Sequence, residues 1–186
     1  MTIVYALLVL VIAVVGYLVY AYNALVSNKN LVAEGWSGID VQLRRRADLI
    51  PNLIETVKGY AAHEDKLFRD IADLRAKSIS GGTVSEQSAI GQAMSGALGK
   101  LFAVAEAYPE LKADANFRDL QDKLSGVEDE IQLSRRYYNG AVRNLNTMIQ
   151  SFPSNFVANF FNFKGAEFFE IGDAAAREVP KVDFKK

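Results

Sequence analysis

IDVQLRRRADLIPNLIETVKGYAAHE, Ile39 to Glu64, decides how the rest of the chain is read. Ile39, Leu43, Ala47, Ile50, Ile54, Val57 and Ala61 recur at intervals of four, four, three, four, three and four residues, one apolar stripe of an amphipathic helix. The same stretch holds three consecutive arginines, a proline, and the chain's single histidine followed by a glutamate. Successive helical residues stand about 100° apart, so Arg44, Arg45 and Arg46 fan around the axis and form no patch. Arg45 points most directly away from the stripe. Arg46 borders it, where its stem can lie on the core while its head meets a carboxylate. Ion-pair and structural roles are expected for these arginines, with phosphate or lipid-headgroup contact as the alternative.

Pro51 has no N–H to give the Ala47 carbonyl, and its ring crowds that carbonyl. A kink is expected, or a break with a new helix starting near Asp48. His63-Glu64 is the one place for an enzyme. A zincin needs His-Glu-x-x-His, two imidazoles one turn apart on Zn²⁺ with the glutamate as base. Here Leu67 stands three residues after Glu64, and there is no second histidine. With no cysteine, no thiol nucleophile or thiolate metal site exists, and no serine sits in a G-x-S-x-G elbow. The Glu-x-x-His spacing of carboxylate metal sites in bundles is absent too. No catalytic residue, metal ligand or cofactor is therefore assigned, and a non-enzymatic protein is expected. The alternative is a metal- or ligand-dependent hydrolase centred on His63 and Glu64 with carboxylates from neighbouring helices.

Upstream, no charged side chain occurs before Lys29, and IVYALLVLVIAVVGYLVYAY, Ile3 to Tyr22, is almost wholly apolar. Twenty such residues at about 1.5 Å each span a hydrocarbon core of roughly 30 Å. Tyr17, Tyr20 and Tyr22 gather toward one end, as amphipathic rings do at the headgroup level. A cleaved signal peptide would want a basic start and a small-x-small cleavage site, and the chain opens MTIVYALL. A retained anchor over residues 1–28 is expected. Lys29 and Arg44 to Arg46 follow the span and no basic side chain precedes it, which favours the N-terminus outside and the remainder in the cytoplasm. The opposite orientation is the alternative, since Glu34 and Asp40 share that window. The rest, about 155 residues, suits one domain with a sizeable core. A formal net charge of −1 argues against nucleic acid as a partner.

Downstream the period stays helical. The first stripe can be continued through Phe68, Ile71 and Leu74, and SISGGT, Ser78 to Thr83, supplies a loop. Thr83 with Glu86 matches a capping box, so a helix should start there and run over roughly 84–107 until Pro109 ends it. Ala89, Ala93, Gly96, Ala103 and Ala107 share a broad face of that helix. Close backbone approach to a neighbour is the expected compensation for Gly96 and Gly99. Phe117, Leu120, Leu124, Val127, Ile131, Ser134, Tyr138, Ala141, Leu145 and Met148 alternate threes and fours, the seam of a bundle. Arg118, Asp122, Glu128, Asp129, Arg136 and Arg143 read as its solvated face.

Ser151 to Glu170 then holds seven of the eleven phenylalanines. Phe152, Phe156, Phe160 and Phe163 fit one face of a short helix, with Pro153 suited to its first turn. These rings either plug the end of a bundle or form an apolar patch for a partner or a bilayer. Residues 173–186 read as an extended or frayed tail. The expected fold is all-α: a transmembrane helix feeding an antiparallel bundle of about four helices over residues 29–172, with a kinked first helix.

Several linked stretches resemble the LemA family: YNALV at Tyr22 to Val26, EGWSGIDVQLRRRADLIPNLIETVKGYAAHE at Glu34 to Glu64, YPELKADANF at Tyr108 to Phe117, SRRYYN at Ser134 to Asn139, and FPSN at Phe152 to Asn155 leading into GAEFFE. The resemblance implies a membrane-anchored helical-bundle protein of the bacterial inner membrane, single-pass, with no catalytic activity to carry over. Some relatives start as lipoproteins, and family members are often encoded beside membrane-protease or envelope-stress proteins. The function expected is thus a membrane-anchored scaffold or adaptor acting through protein–protein contacts, with a lipid-contacting, membrane-remodelling role for the Phe-rich end as another alternative. Its expected partners are the lipid bilayer, envelope membrane proteins with a membrane protease among the candidates, and a second copy of the chain. Arg44, Arg45, Asp48, Pro51, Asn52, His63 and Glu64 of the signature stretch, with Phe156, Phe160 and Phe163, form the candidate interaction surface.

Overall fold

The apolar span and the amphipathic stripe belong to one helix. In a computed structural model that describes residues 1–61 and 63–170, α1 runs without interruption from Thr2 to Lys58, 57 residues, and so about 85 Å at 1.5 Å per residue. It is followed by α2 (Asp65–Ile79), α3 (Val84–Ala105), α4 (Pro109–Ala113), α5 (Ala115–Gln150) and α6 (Ser154–Phe160). Among the described residues there is no strand, and the chain is all-α as its periodicity predicts. The expected tail, 173–186, lies outside the described residues.

The chain forms two compact units, to both of which α1 and α5 contribute. The first comprises residues 1–49 and 121–168. Its α1 and α5 segments are antiparallel, because contacts step up one helix as they step down the other. The Asn28 amide reaches the Met148 sulfur at 3.1 Å, the Trp36 ring meets the Tyr138 ring at 5.8 Å between centroids, and an Arg46 nitrogen meets Glu128 Oε1 at 2.7 Å. Ile39, Leu43 and Ala47 from α1 are buried, as are Leu124, Val127, Ile131, Tyr138, Ala141, Val142 and Leu145 from α5. The backbones come close at Gly35, where a Cβ would stand 3.0 Å from the Tyr138 Cα. That close approach needs glycine.

Arg46 behaves as its position beside the stripe predicts: it is 1% exposed, with its head on a carboxylate. Glu128 therefore does not belong to the solvated face of α5 assigned to it from the sequence. Its side chain is 30% exposed and turned toward Arg46. A second arginine, Arg135, is 7% exposed beside them. Loss of water, then the nearby Arg46 charge, lower its pKa, and Glu128 offsets part of the fall.

The second unit comprises residues 50–120 together with Phe169 and Glu170. Ile50, Leu53, Ile54, Val57 and Ala61 bury the rest of the stripe, and Phe68 and Ile71 of α2 extend it. α1 stops at Lys58, whose ammonium lies over the Phe68 ring, so the stripe passes from one helix to the next through a turn. The break considered at Pro51 does not occur. The ring faces solvent, while Ile50, Leu53, Ile54 and Val57 hold the flanking turns in the core.

α3 packs against α2 and begins where the capping box places it. Thr83 Oγ1 accepts the Glu86 N–H at 3.2 Å, and Glu86 Oε2 accepts the Thr83 N–H at 2.8 Å. Gly81, at φ 78°, makes the left-handed turn into it, a conformation that favours glycine. The face buried by α3 is not the small-residue face expected. Met94, Ala97, Leu98, Leu101 and Ala105 are buried, whereas Ala89, Ala93, Ala103 and Ala107 are exposed. A Cβ at Gly96 or Gly99 would meet nothing within 4 Å, so no neighbouring backbone explains those glycines. Pro109 ends no long helix directly: α3 has already closed at Ala105, and Pro109 opens the short α4 at the position where a missing N–H costs nothing. Asp114 then caps α5, accepting the Phe117 N–H at 2.9 Å.

These contacts are open to three tests. Glu128→Ala leaves two buried guanidinium groups without that carboxylate and is expected to lower stability by about 3 kcal/mol in thermal unfolding of the detergent-solubilised protein, with Arg46→Met added in the same chain restoring most of it. Thr83→Ala is expected to cost about 1 kcal/mol in the same assay. The Glu86 carboxylate, held below its usual pKa first by the Thr83 backbone N–H and then by its hydroxyl, adds stability above the unfolded pKa. That contribution is lost as pH falls through the depressed value, and Glu86→Gln should flatten this acid-side slope.

Candidate functional site

The Phe-rich segment is built around one tight helix end. α6 stops at Phe160, and Asn162 follows at φ 56°, a left-handed position that asparagine tolerates better than most residues. The Phe163 N–H bonds the Ala158 carbonyl at 2.9 Å and the Asn162 N–H bonds the Asn159 carbonyl at 3.2 Å, a Schellman turn. The turn sends Phe163 inward onto the cluster of Ala21, Leu25, Leu145, Val157 and Ala158, which Tyr17 and Met148 also join. At the other end, Ser154 Oγ donates to the Met148 carbonyl at 2.6 Å and so ties the start of α6 to the end of α5.

Beyond the turn the chain lies extended along α5 and is clamped at two places. Asn146 bonds both backbone groups of Ala166, its Nδ2 donating to the carbonyl and its Oδ1 accepting the N–H, each at 2.9 Å. The Tyr138 hydroxyl donates to the Glu167 carbonyl at 2.9 Å. Burial, then the Glu167 charge, raise the Tyr138 pKa, so it stays a donor through the neutral range.

With its base fixed in this way, α6 turns rings outward. Phe152 is 79% exposed, Phe156 65% and Phe160 82%, and Phe161 is also open. Of the rings expected to plug a bundle end, Phe163 is half-buried and Phe169 is buried in the second unit, while Phe168 is exposed like those of α6. Phe163 does not share the face of Phe156 and Phe160, because it lies beyond the helix end and the turn reverses it. Phe156, Phe160 and Phe161 instead line an apolar groove of about 540 Å³ with Val157 and with Leu18, Val19 and Tyr22 of α1. The Phe161 and Tyr22 ring centroids are 4.7 Å apart. Leu18 and Val19 belong to the apolar stretch whose side chains, from Ile3 onward, stand open on all sides of the helix. The groove therefore joins α6 to that apolar stretch.

The signature stretch is dispersed. Arg44 pairs with Asp40 at 3.0 Å on the surface, and Arg45 donates to Gln42 at 3.1 Å. Arg45 and Asp48 share a shallow groove with Lys123 and Glu130 of α5. Pro51 and Asn52 are exposed in the second unit, where His63 is also exposed and Glu64 half-buried at the start of α2. Among the described residues, no three histidine or carboxylate side chains gather into a group able to hold a metal ion. Asn146, Arg135 and Asn162 carry no signal in the sequence reading, and Tyr138 enters it only as a seam residue of α5. SRRYYN, which holds Arg135 and Tyr138, was visible as a motif, but no spacing in it announces the Tyr138 bond to Glu167, 29 residues away.

The pattern of the LemA family matches residues 35–184. Magnetosome protein MamQ 2 of Paramagnetospirillum magneticum is 27% identical over 186 residues, an alignment covering 86% of this chain and 68% of that protein. Magnetosome protein MamQ of Magnetospirillum gryphiswaldense is 25% identical over 184 residues, with 85% and 68% covered. Protein LemA of Metamycoplasma hominis is 26% identical over 181 residues, with 92% and 78% covered. The chain belongs to the LemA family, and among the described residues its α1 is long and apolar enough to cross a membrane.

Asn162 offers a direct test of how α6 is held. Asn162→Gly is expected to leave stability within a few tenths of a kcal/mol, whereas Asn162→Val, β-branched at positive φ, is expected to cost about 1–2 kcal/mol in thermal unfolding.

Proposed function

We propose that this LemA-family protein is a non-enzymatic, single-pass membrane scaffold. In this reading the phenylalanine face of α6 seats the first unit on the bilayer, and the polar surface meets other envelope proteins. The observation that carries the proposal is the shared groove: Phe156, Phe160 and Phe161 stand open beside Leu18 and Val19 of the anchor. Leu18 and Val19 lie three to four residues before Tyr22, about 5 Å deeper along the axis if Tyr22 marks the interface. Interfacial helices bury their apolar faces to about that depth, 5–10 Å. In water these rings would form an apolar patch, and in the bilayer they meet acyl chain.

Lys29, Arg44 and Arg45 follow the span on exposed positions and support a cytoplasmic bundle with the N-terminus outside. For protein partners, the groove of Arg45, Asp48, Lys123 and Glu130 carries both signs of charge on an outward surface and suits a complementary charged patch. A membrane protease of the envelope and a second copy of this chain are the candidates considered for it.

The chain has no cysteine, so Phe160→Cys carries a single spin label in full-length protein reconstituted into vesicles. The label is expected at acyl-chain depth, accessible to oxygen and shielded from a water-soluble nickel relaxant, while a label at Arg45→Cys shows the reverse. An aqueous signal at position 160 removes the seating. For the scaffold, a photo-cross-linker in place of Asp48 is expected to yield an adduct with a membrane protein in native membranes. Only uncross-linked monomer in that experiment retires the adaptor reading.

A further inference from the structure

We infer that the end of the anchor binds an anionic phospholipid, its acyl chain in the groove beside Leu18 and Phe160 and its phosphate between Lys29 and Lys164. This rests on the seating of α6 proposed above and adds the identity of the lipid. Two depressions adjoin here. The first is the apolar groove of about 540 Å³. The second, of about 490 Å³, shares Tyr22 and Phe161 with it and continues past them to Lys29, Asn30, Asn162 and Lys164. The two depressions meet at the Tyr22 and Phe161 rings, so an apolar floor lies beside two ammonium groups and two side-chain amides, and no carboxylate lines either part.

The dimensions and charge suit a phospholipid. From Leu18 to Lys29 the helix climbs about 16 Å, enough to cover the upper acyl chain, the glycerol and the phosphate. Long lysine stems can reach back along apolar surface to a headgroup, as Lys29 can along Val26 and Tyr22. Both lysines are exposed, and neither forms a salt bridge among the described residues. The Schellman turn fixes one of them: by turning Phe163 onto the core it sets Lys164 on the side of Lys29. A zwitterionic headgroup brings its own cation to this site, whereas an anionic one leaves its net charge to the two lysines.

The test uses full-length protein in phosphatidylcholine nanodiscs with a trace of chain-spin-labelled phosphatidylglycerol or phosphatidylcholine, reading the motionally restricted fraction of each. Phosphatidylglycerol should be favoured by at least about fivefold, the effect expected for one lysine near an anionic surface. In Lys29→Gln with Lys164→Gln the two lipids should associate equally, with thermal unfolding unchanged because both side chains are exposed. Equal association with the unaltered protein, or a preference that survives in the double variant, overturns the inference. The Phe160→Cys depth measurement in the same nanodiscs separates the cases. A label at acyl depth without lipid preference leaves the seating intact and removes only the anionic lipid, whereas an aqueous label removes both.

Discussion

The Arg46 guanidinium has given up almost all of its water, and the carboxylate that answers it at 2.7 Å is Glu128, on the antiparallel partner of α1. Taking two charges out of water is costly, and such pairs often add little net stability. What this one adds is register. The seam of α5 repeats in threes and fours along its length, and apolar side chains alone would tolerate a slip of one turn. A slip would strand Arg46, and with it Arg135, opposite the wrong side chains, and it would drive the Tyr138 backbone against whichever residue replaced Gly35. The position of the anchor's last turns against the end of α5 follows from that register. Ala21 and Leu25 then meet Leu145, Val157 and Ala158.

From that cluster outward, the arrangement is hydrogen-bonded backbone. The Ser154 hydroxyl, the Schellman turn at Asn162, the Asn146 amide on Ala166 and the Tyr138 hydroxyl on Glu167 hold a segment with little regular structure beyond its seven-residue helix. Each bond satisfies a backbone group that the extended chain would otherwise leave open. The rings at Phe156 and Phe160 are thus displayed by a rigid support, which distinguishes them from apolar residues left on a loose end.

Much of this was legible in the sequence, and unevenly so. The stripe from Ile39 to Ala61 is buried at all seven positions, and the capping box at Thr83 starts its helix, because both signals are local and periodic. The placement of Arg46 was legible too, from its angle to the stripe. Small residues are ambiguous, since alanine and glycine fit an exposed face as well as a crowded one: the close approach is at Gly35 and not at Gly96 or Gly99. Charge on a helix face was also ambiguous: Glu128 looks like its neighbours until Arg46 is placed across from it. The phenylalanines were conspicuous, but which of them turn inward depends on a left-handed residue at 162 that no spacing reveals.

Because α1 has no joint between the span and the first unit, and because Ala21 and Leu25 are embedded in that unit's core, the anchor cannot tilt on its own. A transmembrane helix on a slack tether answers a thicker or thinner bilayer by leaning, leaving its domain undisturbed. With α6 seated on the bilayer as proposed, leaning carries the first unit with it and lifts or sinks the rings of α6 against the lipid. On the proposed seating, bilayer thickness becomes a mechanical input to this protein, felt as a change in the angle at which its surface is presented.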